Sequence, residues 1–176
     1  MNRSKFLILI LLLLFTGLWS EADTSRLKSL GFSVPEIRTE ALPFHVIKNQ
    51  QIEKTLIPEP GNVILINFWA SWCPPCGGEM PSLQRLYEKL KDSGFQLATV
   101  NMNEEIPTVQ DYLRSESLDI PVYYFPDKGV LKVYTLRGIP ASYLIDKKGR
   151  VAAAYTGSFQ WDNPELVRTI EELLNE

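Results

Sequence analysis

The segment from Asn62 to Ala70 constrains the fold more than any other part of the chain. It reads N-V-I-L-I-N-F-W-A, almost wholly apolar, rich in β-branched side chains and without polar alternation. A strand with one wet face alternates polar and apolar residues, whereas a strand covered on both faces does not. The segment therefore predicts a central strand of a sheet that has helices on both faces.

Strand and helix patterns alternate after this segment. The first helix is indicated over residues 80–91 by apolar residues at helical spacing, namely Leu83, Leu86, Tyr87 and Leu90, and Gly94 fits a left-handed C-cap. Next come a strand, a helix, a strand, a short helix, and a hairpin of two strands, over residues 95–101, 107–114, 120–125, 130–136, 142–146 and 151–156. The order predicts βαβ units followed by an antiparallel pair, and hence a mixed sheet between helices.

A last helix is predicted from Pro164 onward. Asp162 or Asn163 can cap it, Pro164 suits its first position, and its buried face would carry Leu166, Ile170 and Leu173. The region before the central strand is less regular, with prolines at 35, 43, 58 and 60. There we expect an edge strand over residues 44–47 and loop elsewhere. With 176 residues, 45% of them hydrophobic, the chain has enough material for one globular core.

The first residues have the layout of a secretory signal. Arg3 and Lys5 precede an unbroken apolar run from Phe6 to Phe15, and small residues, Ser20 and Ala22, frame a cleavage site. This predicts a signal peptide over residues 1–22, cut after Ala22. The alternative is an uncleaved membrane anchor. The length of the apolar stretch argues against it, because a spanning helix needs roughly twenty residues and this stretch is shorter.

Charge excludes some classes of partner. The net charge is −3, and removal of residues 1–22, which hold Arg3, Lys5 and Glu21, leaves −4. Basic residues are scattered along the chain, so neither nucleic acid nor an anionic lipid surface is an expected partner. A membrane contact is expected only if the signal is uncleaved.

The only two cysteines are Cys73 and Cys76, in W-C-P-P-C-G-G-E. So small a disulfide loop would stabilise the fold weakly. A closed zinc site needs four ligands, whereas the chain adds only one histidine, His45, for which a solvated or core position is expected. Gly77 after the second cysteine excludes c-type haem attachment. A two-coordinate Cu(I) site on the two thiolates stays open as an alternative.

Position favours a redox role for the pair. Cys73 would lie where the strand ends and the helix begins, so free N–H groups and the helix dipole would stabilise its thiolate and make it the attacking sulfur. Cys76, three residues on, would lie on the same face and be more buried, as suits a resolving thiol. The two prolines between them stiffen the turn.

Two motifs carry a resemblance to a known family. F-W-A-S-W-C-P-P-C-G-G-E-M-P-S-L and the later G-I-P-A-S-Y-L-I-D-K-K-G-R resemble the exported thioredoxin-like proteins of the TlpA/ResA group, over about residues 42–175. The resemblance implies an α/β thioredoxin-like fold over residues 42–176, with an N-terminal extension over 23–41 and a βα-type insertion between Asn101 and Asp127. It also implies an exported enzyme, in the periplasm or on the outer face of the bacterial cytoplasmic membrane.

The implied activity is that of a thiol–disulfide oxidoreductase that needs no cofactor. It would reduce protein disulfides, such as those of apocytochrome c during cytochrome c maturation, and a membrane thiol transporter would supply its electrons. An oxidant or isomerase could carry the same motif. By resemblance the redox-active disulfide joins Cys73, the nucleophile, to Cys76, the resolving thiol.

The resemblance also implies a surface for substrates. Trp72 and Pro74 would border the outer sulfur, although Trp72 could instead be an ordinary core aromatic. Pro140 would be a cis-proline that lies against the cysteines, and Ile139 would offer its backbone to an extended peptide. The alternative for Pro140 is a turn proline that opens a strand.

Glu79 is a candidate proton donor and acceptor. It lies three residues beyond Cys76, hence on the same helix face, and burial is expected to raise its pKa toward neutrality, as the family parallel suggests. An acidic residue favoured by the helix dipole is the alternative. Asn67 stands where ordinary thioredoxins carry a buried aspartate, and an amide cannot relay protons; it could instead satisfy backbone groups of the sheet.

Overall fold

A computed structural model describes residues 24–48, 54–58, 61–124, 128–135 and 137–176. The predicted signal peptide, its cleavage site and the alternative membrane anchor lie outside these ranges. Within them, no helix is both long and apolar enough to cross a membrane.

The described residues form one seven-stranded sheet with helices on both faces. In chain order the elements are α1 over residues 24–29, β1 Phe44–Lys48, β2 Lys54–Ile57, β3 Val63–Trp69, α2 Pro74–Leu90, β4 Phe95–Asn101, α3 Ile106–Ser115, β5 Val122–Tyr124, α4 Lys128–Tyr134, β6 Ala141–Ile145, β7 Val151–Thr156 and α5 Pro164–Leu174. The strand order is β2-β1-β5-β4-β3-β6-β7. The predicted mixed sheet between helices is confirmed.

Strand β3 lies inside the sheet and is buried along its whole length, as predicted. It pairs in parallel with β4 and antiparallel with β6, which forms the predicted hairpin with β7. Its side chains alternate between two cores, because neighbouring residues of a strand point to opposite faces. Val63, Leu65 and Trp69 pack with residues of α2, α3 and α5, and Ile64, Ile66 and Phe68 pack with Tyr134 of α4.

Helix α2 begins at Pro74, directly after Cys73 as the argument for the cysteines placed it, and six residues before Met80, where the apolar spacing starts. The apolar spacing marks only the residues from Met80 onward and does not show the first turn. The structure instead places Pro74 and Pro75 in the first turn, where no N–H is needed, and carries Pro81 inside the helix.

The loop predicted before β3 is wrong in two places. Residues 24–29 are helical, and β2 pairs antiparallel with β1, in which Phe44 lies opposite Ile57. Prolines are tolerated beside an edge strand, and β2 is at the edge of the sheet, so Pro58 did not exclude it. The strand predicted over residues 120–125 is shorter, since β5 begins at Val122, and Phe125 and Leu136 lie outside the described residues.

The segment before β1 packs on the rest of the chain. Leu27 and Phe32 are buried in the core that contains α2 and α5. A backbone bridge joins Ser33 to Ala154 of β7. The Arg38 guanidinium lies 3.3 Å from the buried carboxylate of Asp146, so this segment also contacts the turn between β6 and β7.

Helix α5 begins at the predicted cap. The Asn163 side chain accepts hydrogen bonds from the backbone N–H groups of Glu165 and Leu166, and Leu166, Ile170 and Leu173 are buried as predicted. Asn163→Ala is expected to lower the free energy of unfolding by about 1 kcal/mol, because those two N–H groups lose their partner. Urea denaturation measures this. Stability unchanged within about 0.3 kcal/mol would show that the cap contributes nothing.

Candidate active site

The two cysteines lie where β3 gives way to α2. The strand ends at Trp69, a turn follows over residues 71–72, and Cys73 is the N-cap residue of α2. The Gly77 N–H donates to the Cys73 carbonyl oxygen over 3.1 Å. The predicted position of Cys73 at the mouth of the helix is therefore present in the structure, and the dipole of α2 points its positive end at this residue.

A disulfide joins Cys73 and Cys76. Their Cα atoms are 5.3 Å apart, within the range that a disulfide spans. Cys76 is wholly buried and Cys73 is 5% exposed. The order of burial agrees with the sequence argument, but the outer cysteine is less open to solvent than that argument assumed.

The later motif meets the cysteines just before the start of β6. The Ile139–Pro140 peptide bond is cis, and the Ile139 carbonyl oxygen lies 3.9 Å from Sγ of Cys73. A disulfide sulfur carries no proton, so this is a contact and not a hydrogen bond in the oxidised state. The Pro140 carbonyl oxygen accepts from the Gly157 N–H, which ties the proline to the end of β7.

Trp72 and Pro74 are both exposed beside the disulfide. Trp72 has 66% of its surface open to solvent, the second largest value among the exposed large hydrophobic residues of the described chain. The core alternative for Trp72 is therefore excluded. An exposed indole next to a reactive sulfur is a surface on which apolar groups can dock.

Glu79 lies in the second turn of α2 and is 1% exposed. Its Oε2 accepts hydrogen bonds from the Phe159 backbone N–H (3.0 Å) and from Trp161 Nε1 (2.9 Å). Its Oε1 accepts from Asn67 Nδ2 at 2.8 Å. Since α2 has no acidic residue in its first turn, the helix-dipole alternative for Glu79 loses its basis.

Burial raises the pKa of Glu79 to about 7 from an ordinary value of 4.5. Loss of water is the larger effect, and the hydrogen bonds from Trp161, Asn67 and Phe159 oppose it by stabilising the carboxylate. A carboxyl group with such a pKa exchanges protons readily near neutral pH.

Aromatic rings exclude much of the water from the Glu79 carboxyl. Phe159 and Trp161, which both donate to Glu79, pack with Phe32 and Tyr155, and neighbouring ring centroids in this group are 5.0–6.4 Å apart. The segment before β1 thus helps to exclude water from the carboxyl through Phe32. Sequence reasoning missed Trp161 and Phe159, because they lie some 80 residues from Glu79 and belong to no motif.

Asn67 links the buried carboxyl to β6. Its Nδ2 donates to Glu79 and, over 2.9 Å, to Ser142 Oγ, and its Oδ1 has no partner in the structure. These hydrogen bonds of the Asn67 amide go to side chains, which argues against a role in satisfying the backbone of the sheet. Asn67 therefore supports Glu79 without itself offering a titratable group.

The described residues form no cluster of three or more His, Cys, Asp or Glu side chains that could hold a metal ion. His45 is exposed on β1, opposite Leu56 of β2. Of the two positions expected for this residue, solvated or in the core, the structure shows the solvated one.

Comparison with known proteins agrees with the geometry. Residues 31–173 match the family described as Redoxin. The thiol-disulfide oxidoreductase ResA of Bacillus thuringiensis subsp. konkukian is 33% identical over 163 residues, which cover 89% of each chain. ResA of Halalkalibacterium halodurans is 32% identical over 114 residues, which cover 65% of this chain and 63% of that protein.

A solved structure shows the same architecture. The crystal structure of StoA from Bacillus subtilis matches with a TM-score of 0.61 and 26% identity, over 72% of this chain and 96% of StoA. The thioredoxin-like fold and the oxidoreductase activity that the two motifs implied are thereby confirmed. The chain belongs to the redoxin family, as a ResA-like thiol–disulfide oxidoreductase with a thioredoxin-like fold.

Proposed function

We propose that the chain is an exported reductant of protein disulfides that cycles Cys73 and Cys76 between dithiol and disulfide. The observation that carries the proposal is the arrangement around Cys73. The sulfur at the start of α2 has the cis-proline loop on one side and an exposed indole, Trp72, beside it. This arrangement supports docking of an extended chain beside the sulfur, of which only a small part is exposed.

In the reduced state the Cys73 thiolate attacks one sulfur of a substrate disulfide. The substrate S–S bond breaks, a mixed disulfide forms on Cys73, and the first substrate thiolate leaves and takes up a proton from water. Cys76 then gives its thiol proton to Glu79 and attacks Sγ of Cys73. The second substrate thiolate leaves with the proton that Glu79 returns, so the substrate gains two electrons and two protons.

The backbone around Ile139 supplies the affinity for substrate. An extended peptide that pairs with this residue in the manner of a β-strand is held by main-chain hydrogen bonds, which depend little on sequence. Trp72 and Pro74, exposed on either side of Cys73 in the sequence, would add an apolar surface. Such binding suits substrates of different sequence that each contain a disulfide. The resemblance to ResA suggests apocytochrome c as one such substrate.

Export is supported by the sequence of residues 1–22, which we propose to be a signal peptide cut after Ala22. It is also supported by the disulfide, because disulfides persist in the oxidising environment outside the cytoplasm. An exported reductant consumes two electrons per substrate, and each cycle leaves its own pair oxidised. A membrane thiol transporter is the proposed source of those electrons, which places the enzyme in the periplasm or at the outer face of the cytoplasmic membrane.

The test is insulin reduction by residues 23–176, with dithiothreitol as the source of electrons. Turnover well above the rate of dithiothreitol alone is expected, and Cys73→Ala is the control. A protein that binds Cu(I) tightly at one ion per chain and shows no turnover would contradict the proposal, because the pair would then serve as a metal site.

A further inference from the structure

The turn over residues 71–72 is held by an acidic residue from a different part of the sheet. Ser71 donates twice to one carboxylate: its backbone N–H reaches Oε2 of Glu104 over 2.7 Å, and its Oγ lies 2.5 Å from Oε1. Glu104 belongs to the loop between β4 and α3. Both of its oxygens thus hold a residue that stands two positions before Cys73.

Glu104 is itself held in place. Asn101, wholly buried at the end of β4, donates from Nδ2 to Oε2 of Glu104 (2.7 Å) and accepts from the Glu104 N–H (2.9 Å). Asn103 has a left-handed backbone with φ of 61°, and the Met102 N–H donates to the Trp69 carbonyl oxygen. The loop is therefore built around the carboxylate, so little entropy is lost when Ser71 binds to it.

We propose that Glu104 is a positioning residue of thiol–disulfide exchange, which fixes the turn over residues 71–72 and so holds the exposed face of Trp72 beside Cys73 for polypeptide substrates. The role rests on the proposed reduction of protein disulfides. A polypeptide must contact Trp72 and the Ile139 backbone together, so its binding depends on their relative position. Glutathione disulfide is small, so its reaction with Cys73 needs access to the sulfur and few contacts with the surrounding surface.

Glu104→Ala separates these two substrates. We expect kcat/KM for insulin reduction to fall about tenfold, mostly through a higher KM, and the rate of exchange with glutathione disulfide to stay within about twofold. A loss of folding alone would lower both rates together. Urea denaturation of the variant monitors that effect.

Glu104→Gln provides the rescue. Its carbonyl oxygen can replace Oε2 and accept from Ser71 and Asn101, while its amide can donate to the Ser71 hydroxyl, which then acts as acceptor. The variant keeps the geometry and loses the charge, so insulin reduction within about twofold of the parent is expected. Glu105→Ala is the matched control, because Glu105 is exposed on the same loop and its side chain makes no cap hydrogen bond to α3.

Hydrogen exchange of the Ser71 amide reports on the contact without any substrate. The amide should be protected in the parent and in Glu104→Gln, and should exchange at least about tenfold faster in Glu104→Ala. Unchanged protection, an equal loss for insulin and glutathione disulfide, or a glutamine variant as impaired as the alanine variant would overturn the proposal. If the parent chain fails to reduce insulin, the proposed function fails, and the Ser71 exchange rate still decides whether Glu104 holds the turn.

Discussion

Cys73→Ser is expected to lower the turnover of insulin reduction by at least about 10³-fold, because a serine hydroxyl is not ionised at neutral pH and does not attack a disulfide. Cys76→Ser should also lose turnover, but for another reason. Its Cys73 still attacks, and the reaction then stops at the mixed disulfide, since no second sulfur lies behind the first.

Added glutathione distinguishes the two losses. In Cys76→Ser, millimolar glutathione can attack the mixed disulfide in place of Cys76 and restore part of the turnover. In Cys73→Ser no mixed disulfide forms at the helix start, so glutathione should restore nothing above its own background rate. Insulin reduction by each reduced variant after removal of dithiothreitol, with and without glutathione, provides the measurement. The reverse pattern would show that Cys76 is the attacking sulfur.

Glu79→Gln is expected to remove a large pH dependence of stability. Because burial raises the pKa of Glu79 to about 7, the folded chain keeps a proton that the unfolded chain releases near pH 4.5. The stability that this proton contributes is present in full below pH 4.5 and is lost as the pH rises to about 7. The loss is about 3 kcal/mol for a shift of this size.

Urea denaturation of the oxidised protein from pH 4 to about 8 measures the effect, since neither cysteine titrates as a disulfide. Relative to the parent, Glu79→Gln should gain stability between pH 4.5 and about 7 and change little outside this interval. Glu88→Gln, at an exposed glutamate of the same helix, is the control and should keep the parent's slope. Parallel curves for the parent and Glu79→Gln would contradict the raised pKa.

The glutamine side chain has a way to fit this site. Its carbonyl oxygen can take the place of Oε2, where Phe159 and Trp161 donate. Its amide would then face Nδ2 of Asn67, another donor, until the Asn67 amide turns over and offers its unpartnered Oδ1. The cost of this rearrangement does not depend on pH, so it shifts the whole curve and leaves the change in slope interpretable.

The elements that the sequence could predict are those whose limits depend on nearby residues. Strand β4 has the predicted limits, Phe95–Asn101, and β3 differs by one residue at each end, because continuous apolar runs of this length have few other solutions in an α/β chain. Asn163 and Pro164 begin α5 as predicted, because a side-chain cap and a proline act locally. The limits of these elements depend mainly on nearby residues.

The elements that were missed depend on distant ones. Strand β2 exists because β1 offers it an edge, and its own sequence, K-T-L-I before a proline, is equally compatible with a loop. The residues of β2 and the proline after them therefore could not predict this strand by themselves. The apolar spacing alone began α2 at Met80, whereas the position of the cysteine pair after β3 indicated the start that the structure has.

The residues of the candidate site also fall into two groups, those that lie in local motifs and those that are brought together by distant contacts. The C-x-x-C pair, the cis-proline and Glu79 could be found, since they lie in two compact motifs. The two donors Phe159 and Trp161 could not be found, because they reach Glu79 only after α5 packs against the sheet. Glu104 belongs to neither motif, and its contact with Ser71 appears only when β3 and β4 are paired.

The most direct test of the central claim is the mass of the covalent adduct that each cysteine variant forms. Reduced Cys76→Ser and Cys73→Ser are each mixed with a peptide that contains one disulfide, quenched with acid and weighed by mass spectrometry. Cys76→Ser is expected to accumulate one peptide through Cys73, and Cys73→Ser to stay unmodified over the same time. A stable adduct on Cys76, with none on Cys73, would contradict the claim.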